Sequence, residues 1–344
     1  MTPLLPLSPF SPYSRPSPLS CLPRLPRLPF LPYLVKMSLA RSALLKASRS
    51  KWLAAQMMRR DFARRAVRKF MPGETAGEAL DAAAQQAEER IGTIVTQLGE
   101  NLTTLGDAEA VRDHYLAVLD MIEARKLPSV ISVKPTQLGL DLSAAACHAN
   151  TEAVVERAAS HGKLVWIDME DSSYVDRTLE LYRKLKNRHA NVGLALQAYL
   201  RRTPDDLQSL LAIKPTIRLV KGAYAEAPHV AFPEKRDVDL AYYSLAETLL
   251  GAAARHEAHP IFGTHDRGLI ERIAARAAAL GVPNGRWEVH MLYGIRSGDQ
   301  RELVRRGHTV CCLISYGSAW FAWYMRRLAE RPANVWFVVK SLVG

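Results

Sequence analysis

Several polar side chains stand where short apolar runs end. Lys134 follows one run in "SVKPTQLGL", Asp168 follows another in "WIDMED", and Gln197 closes a third in "ALQAY". Lys221 and Tyr224 lie in "RLVKGAY", and Thr264, His265 and Asp266 end the run in "FGTHD". A charge set beside buried apolar surface is costly unless it is paired or used. Five separate runs ending this way point to one shared site. A lysine in such a place can form a Schiff base with a carbonyl substrate, as aldolase-like lyases do. Together with cations from elsewhere, Lys134 and Asp168 can instead make a floor for a small carboxylate. Those cations are offered by "YMRRLAERPANVWF". The spacing predicts a helix capped by Ser318 and stopped by Pro332. Trp323, Arg326 and Glu330 then share a face, and Arg327 lies about 100° round the axis. The two guanidinium groups could reach one anion from two sides. The plainer alternative is an exposed Arg326–Glu330 pair worth a few tenths of a kcal/mol.

The elements that position these residues recur along the chain. Apolar runs occupy 93–98, 129–133, 164–167, 192–196, 216–220, 260–263, 287–292 and 309–314, with helical patterns between them. In 172–185, for example, Val175, Leu179, Leu181 and Tyr182 fall at helical spacing. Eight runs separated by helices imply parallel pairing and closure into a (β/α)8 barrel. An open doubly wound sheet has a similar rhythm, but no G-x-G-x-x-G follows any run, so a Rossmann pyrophosphate site is not expected. In a barrel the C-terminal strand ends converge on one face, and the polar ends named above would meet there.

Composition narrows the field. The chain has 344 residues, 48% of them hydrophobic, enough for one large barrel with extensions. Its formal net charge is +12, yet residues 1–60 carry ten Lys or Arg and no Asp or Glu. From Asp61 onward the basic residues exceed the acidic ones by only two, so a nucleic-acid-binding face is not expected. Cys21, Cys147, Cys311 and Cys312 show no C-x-x-C or Cys/His spacing. A reduced, intracellular protein with no cysteine-based metal site is the expectation. Adjacent Cys311 and Cys312 on a strand would face opposite sides.

Ten of the twenty prolines lie in residues 1–36, where they favour an extended, solvated chain and interrupt any signal-peptide core. No run of eighteen apolar residues exists for a spanning helix. Met37 opens a basic amphipathic pattern and is expected to be the true start, residues 1–36 being over-extended translation. An intact mass that includes residue 1 would refute this. The expected organisation is a leader at 1–36, a helical arm at 37–90 and the barrel at 91–344. The basic arm could touch an anionic membrane surface or simply pack on the domain.

Six segments taken in order, "SVKPTQLGL", "IDMEDS", "LQAYLRRTPDDL", "IRLVKGAY", "GTHD" and "YMRRLAERPANVWFVVKSL", resemble the proline dehydrogenase family from about residue 38 to the C-terminus. The resemblance implies a distorted (β/α)8 barrel with the last helix over its mouth, holding FAD non-covalently. It implies oxidation of L-proline to Δ1-pyrroline-5-carboxylate, with hydride passing to flavin N5 and electrons to a quinone. Arg326 and Arg327 would bind the proline carboxylate, with Lys134 completing the clamp and Asp168 steadying an arginine of the pair. Tyr224 and Leu292 would wall the substrate pocket. Gln197, Arg218, Val220, Lys221, Ala223, Thr264, His265 and Glu330 would contact the flavin, and "FPEKRDVDLAYY" would reach it after the fifth strand. A chain of this length leaves no room for a second dehydrogenase domain, so a separate pyrroline-5-carboxylate dehydrogenase is the implied partner. A cytoplasmic location, peripheral at most to the inner face of the membrane, goes with this.

The implied roles make physical sense. Hydride transfer needs the substrate C–H held about 3–3.5 Å from its acceptor in one orientation, and clamping the carboxylate removes most other orientations. Arg218 near the flavin would favour its anionic reduced form. Two positions depart from the family pattern. Leu313 and Trp323 stand where the family often has tyrosines, which makes this wall of the pocket apolar. Preference for 4-hydroxyproline or another cyclic imino acid is therefore an open alternative. A peripheral membrane-binding role without turnover is another, resting on the basic tryptophan-bearing arm.

Overall fold

The computed structural model describes residues 68–99 and 102–320. Eight strands form one closed barrel in sequence order. They are β1 (Gly92–Gln97), β2 (Ser129–Val133), β3 (Val165–Ile167), β4 (Val192–Gln197), β5 (Thr216–Val220), β6 (His259–Gly263), β7 (Glu288–Leu292) and β8 (Thr309–Tyr316). Every neighbouring pair is parallel, and β8 closes on β1 from Gly92↔Cys311 to Gln97↔Tyr316. The expected barrel is therefore present, with strand limits within two residues of the apolar runs.

Helices alternate with the strands. They are α1 (Ala76–Glu88), α2 (Leu105–Ala124), α3 (Ala144–Ser160), α4 (Val175–Lys186), α5 (Thr203–Leu210), α6 (Lys235–Ala254), α7 (Arg267–Ala279) and α8 (Ser297–Arg305). Local chemistry sets where several begin. At α1, Thr75 Oγ1 accepts from Glu78 N at 3.2 Å while Glu78 Oε2 accepts from Thr75 N at 3.0 Å. This reciprocal cap contributes on the order of 1 kcal/mol. Thr104 and Asp107 repeat it at α2. Ala79, Leu80, Ala82 and Ala83 of α1 are buried in the same core as β1 and β8. The outer layer thus begins within the expected 37–90 arm, because this apolar face has nowhere else to be buried.

Two apolar regions result from the two-residue period of the strands. Residues pointing outward pack under the helices in one continuous core that includes Val95, Ile131, Val165, Leu194, Leu219, Phe262, Val289 and Cys312. Residues pointing inward form a small cluster of Ile94, Trp166 and Ile261, with Val130, Cys311 and Leu313 against it. Cys311 and Cys312 do face opposite sides. Gly193 makes the inner packing possible: a Cβ there would sit 2.6 Å from Trp166 Cζ3, so only glycine leaves room for the indole. Among the described residues no helix is long and apolar enough to cross a membrane.

Candidate active site

Lys134 and Asp168 occupy the positions just past β2 and β3, two residues beyond the inward-facing Ser132 and Trp166. The strand alternation therefore aims them into the barrel mouth. Lys134 Nζ donates to Asp168 Oδ2 at 2.9 Å. Ser132 Oγ donates to Asp168 Oδ1 at 2.7 Å, and Arg218 of β5 pairs with that same oxygen. Arg218 also donates to Ser132 Oγ at 3.1 Å and lies over the Trp166 ring at 4.8 Å. The Lys134, Asp168 and Arg218 side chains are 15%, 17% and 6% exposed, so one carboxylate joins two largely desolvated cations. The trio carries a net positive charge.

Its protonation states follow from that arrangement. Burial pushes the Asp168 carboxyl up, but the Lys134 ammonium and Arg218 guanidinium outweigh it and bring the pKa to about 2. Burial likewise opposes the charge on Lys134, yet Asp168 beside it leaves the ammonium above its ordinary range. A lysine held protonated is a poor Schiff-base nucleophile, which argues against Lys134, one of the two lysines, with Lys221, that could serve a lyase. Burial draws the Arg218 pKa down, against the pull of Asp168.

These residues form the floor of a cavity of about 950 Å³ at the C-terminal face of the barrel. Every sequence-predicted site residue in the described part lines it. Gln197 reaches it from the end of β4, and Arg218 and Val220 from β5. Lys221, Ala223 and Tyr224 follow β5, and Thr264 and His265 follow β6. Leu292 and Leu313 come from β7 and β8. Arg326, Arg327, Trp323 and Glu330 lie outside the described residues. Asp168 pairs with Lys134 and Arg218 among the described residues, and the arginine pair it is expected to steady lies outside them.

The upper wall is also ordered by charge. Lys221 Nζ bonds Asp239 Oδ1 at 2.5 Å and Asp266 Oδ2 at 3.2 Å. Asp239 belongs to α6, within the segment expected to reach this region, and Lys235 pairs with it too. Asp266 caps α7 by accepting from Leu269 N at 3.2 Å. The Thr264 hydroxyl accepts from Asp266 N at 3.1 Å, and His265 Nε2 accepts from Leu292 N at 3.3 Å. Gln197 Nε2 is spent on the carbonyls of Met169 at 3.0 Å and Glu170 at 2.9 Å. Its buried Oε1 has no partner among the described residues. A buried amide oxygen left unpaired is costly and fits a ligand that brings an N–H.

Ser132 and Trp166 were missed from the sequence. The signal for both was present, since each precedes a predicted site residue by two positions on the same strand face. Lys69, Phe70 and Arg296 also line the cavity, and nothing in their local sequence pointed to it.

Comparison with known proteins bears directly on this arrangement. The family model described as proline dehydrogenase matches residues 79–340. Proline dehydrogenase 1 of Bacillus subtilis (strain 168) is 35% identical over 276 residues, which is 80% of this chain and 90% of that protein. The proline dehydrogenase of Deinococcus radiodurans is 32% identical over 284 residues, 80% of this chain and 89% of that one. Among solved structures, proline utilization A from Bdellovibrio bacteriovorus, inactivated by N-propargylglycine, matches with a TM-score of 0.72 at 24% identity. This likeness covers 78% of this chain and 33% of that longer one, and it speaks for the barrel fold. With the family model spanning most of its length, the chain belongs to the proline dehydrogenase family and is an enzyme of that kind.

Proposed function

We propose that this enzyme oxidises L-proline to Δ1-pyrroline-5-carboxylate with FAD as its resident cofactor and delivers the electrons to a quinone. One observation carries the reading: a net-positive Lys134–Asp168–Arg218 floor lies beneath a cavity lined by all twelve described residues of the expected site. A cavity of about 950 Å³ is at the upper end of the roughly 300–1,000 Å³ usual for cofactor and small-molecule sites. The unpaired Gln197 Oε1 supplies an acceptor for a flavin N–H, and Arg218, Lys221, Thr264 and His265 supply polar contacts around it. Glu330 is assigned to the same cofactor by the resemblance. FAD, when bound, supplies the two-electron acceptor.

The chain's own residues do the rest. Lys134 stays protonated at neutral pH and attracts the substrate carboxylate, and Arg326 and Arg327 are assigned the other side of that carboxylate. Asp168 keeps Lys134 and Arg218 from repelling each other. Tyr224 and Leu292 wall the bound ring. No side chain among the described residues stands out as a base for the substrate amine, so its proton is assigned to solvent. A separate pyrroline-5-carboxylate dehydrogenase would take the product.

A second reading concerns the ring substituent. Leu313 presents an apolar side chain to the cavity and packs against the inner cluster of Ile94, Trp166 and Ile261, which leaves 4-hydroxyproline as the competing substrate. Anaerobic addition of proline to the purified protein tests the main reading. A yellow protein that bleaches with proline is expected. A colourless preparation, or a coloured one that no cyclic amino acid bleaches, would overturn it.

A further inference from the structure

The inward faces of β6, β7 and β8 gather a second group of reactive side chains on the N-terminal side of the cavity floor. Glu288 Oε2 lies 3.1 Å from His290 Nε2 and 3.7 Å from Cys311 Sγ. One ligand atom from each of the three lies within 4.8 Å of the others. The other carboxylate oxygen, Glu288 Oε1, lies 3.1 Å from His259 Nε2. We propose that Glu288, His290 and Cys311 bind a borderline-soft divalent cation, Zn2+ being the ordinary candidate, with His259 fixing the carboxylate from outside.

Three features support a site over a plain hydrogen-bond network. Geometry is the first. Tetrahedral zinc with bonds of about 2.0–2.3 Å puts its N and O ligands about 3.3 Å apart and its S and O ligands about 3.6 Å apart. The 3.1 and 3.7 Å separations here match these two edges, and the imidazole nitrogen and the thiol lie within 4.8 Å of each other. Charge is the second. Among the described residues no lysine or arginine pairs with the Glu288 carboxylate, whose hydrogen-bond partners are His259 and His290. Arg218, the guanidinium whose charge reaches both His290 and Cys311, is bound to Asp168. A divalent ion with one carboxylate, one thiolate and a neutral imidazole forms a neutral group, which suits a barrel interior. On binding, the Cys311 proton leaves to solvent as the S–metal bond forms.

The third is support and access. His290 is 5% exposed and held edge-on to Trp166 at 5.5 Å between ring centres. His259 is 34% exposed, which gives an entry path from the barrel's lower end. Gly92 opposite leaves the thiol its space, since a Cβ there would lie 2.7 Å from Cys311 Sγ. The ion would tie β7 to β8 beneath Trp166, with His290, which also lines the floor of the cavity, as its upper ligand.

The test uses the full chain, stripped with a chelator and dialysed against Zn2+. Metal content should return to one tightly held equivalent. X-ray absorption should show a single sulfur about 2.3 Å from zinc. Cys311→Ser and His290→Gln should each weaken binding at least tenfold, and His259→Gln 10–100-fold, as expected for an outer partner. Circular dichroism checks that each variant is folded, and the absorption experiment on the unaltered chain stands even if one is not. No retained equivalent, or zinc bound without sulfur, would overturn the proposal. So would affinity that falls only in Glu152→Gln, a variant of the Glu152, Glu156 and His189 trio.

Discussion

Replacing Asp168 by asparagine leaves Lys134 and Arg218 facing each other with no anion between them. Both side chains are largely buried, at 15% and 6% exposure, so water cannot screen them well. Burial raises the Asp168 pKa and the two cations lower it further, from 3.8 to about 2. A depression of about two units corresponds to something on the order of 2–3 kcal/mol of folding stability at neutral pH. The folded value lies below the unfolded one. The contribution is therefore complete above the unfolded pKa of about 4 and disappears as pH falls toward 2. Removing one partner of a buried pair costs about 3–5 kcal/mol, because the remaining charge stays desolvated. Urea unfolding near neutral pH should show Asp168→Asn destabilised by about 3 kcal/mol, with a shallower loss of stability between about pH 4 and pH 2. The same variant should lose kcat/KM for proline, since Lys134 is no longer held in place. A loss under about 1 kcal/mol, with the acid decline unchanged, would show that Asp168 is not the keystone of this floor.

Three other substitutions probe separate parts of the enzyme. Arg326→Ala should lower kcat/KM for proline by orders of magnitude while the protein keeps its flavin; near-normal kinetics would remove the carboxylate assignment. Gly193→Ala should cost about 1–3 kcal/mol in urea unfolding, because its new Cβ meets Trp166 at 2.6 Å and the indole cannot swing aside inside the barrel. An unchanged midpoint would mean that the inner cluster is loosely packed. Leu313→Tyr should raise the ratio of kcat/KM for proline over 4-hydroxyproline if the apolar wall sets ring preference, and an unchanged ratio across a panel of cyclic imino acids would acquit that position.

Much of the barrel was legible because buried parallel strands advertise themselves. Runs such as 192–196 are apolar on both faces, and a polar residue ending one is conspicuous against that background. That contrast singled out Lys134, Asp168, Gln197 and Lys221. It could not say which of them would pair. Arg218 sits inside an apolar run, and its bond to Asp168 depends on β3 and β5, the strands on either side of β4, both turning side chains into the barrel with Trp166 beneath. Ser132 could be read as facing the same way as Lys134, two residues on, but its hydrogen bond to Asp168 needs the pairing of β2 with β3.

The Glu288 cluster shows why spacing along the chain is a poor guide inside a closed barrel. The chain has no pair of cysteines at the short metal-binding intervals of loops and helices. A strand places residues i and i+2 on one face, and its neighbour contributes from many residues away. Glu288 and His290 share the inner face of β7, and the register His290↔Cys311 brings the thiol beside them. The relevant pattern was E-x-H on one strand with a cysteine in the next, and only the strand pairing makes it a unit. The same geometry layers the two polar groups. The expected site residues take the C-terminal ends of the strands, where loops can open to substrate, while Glu288 and Cys311 lie a step lower between adjacent strands, with His290 at the boundary on the cavity floor.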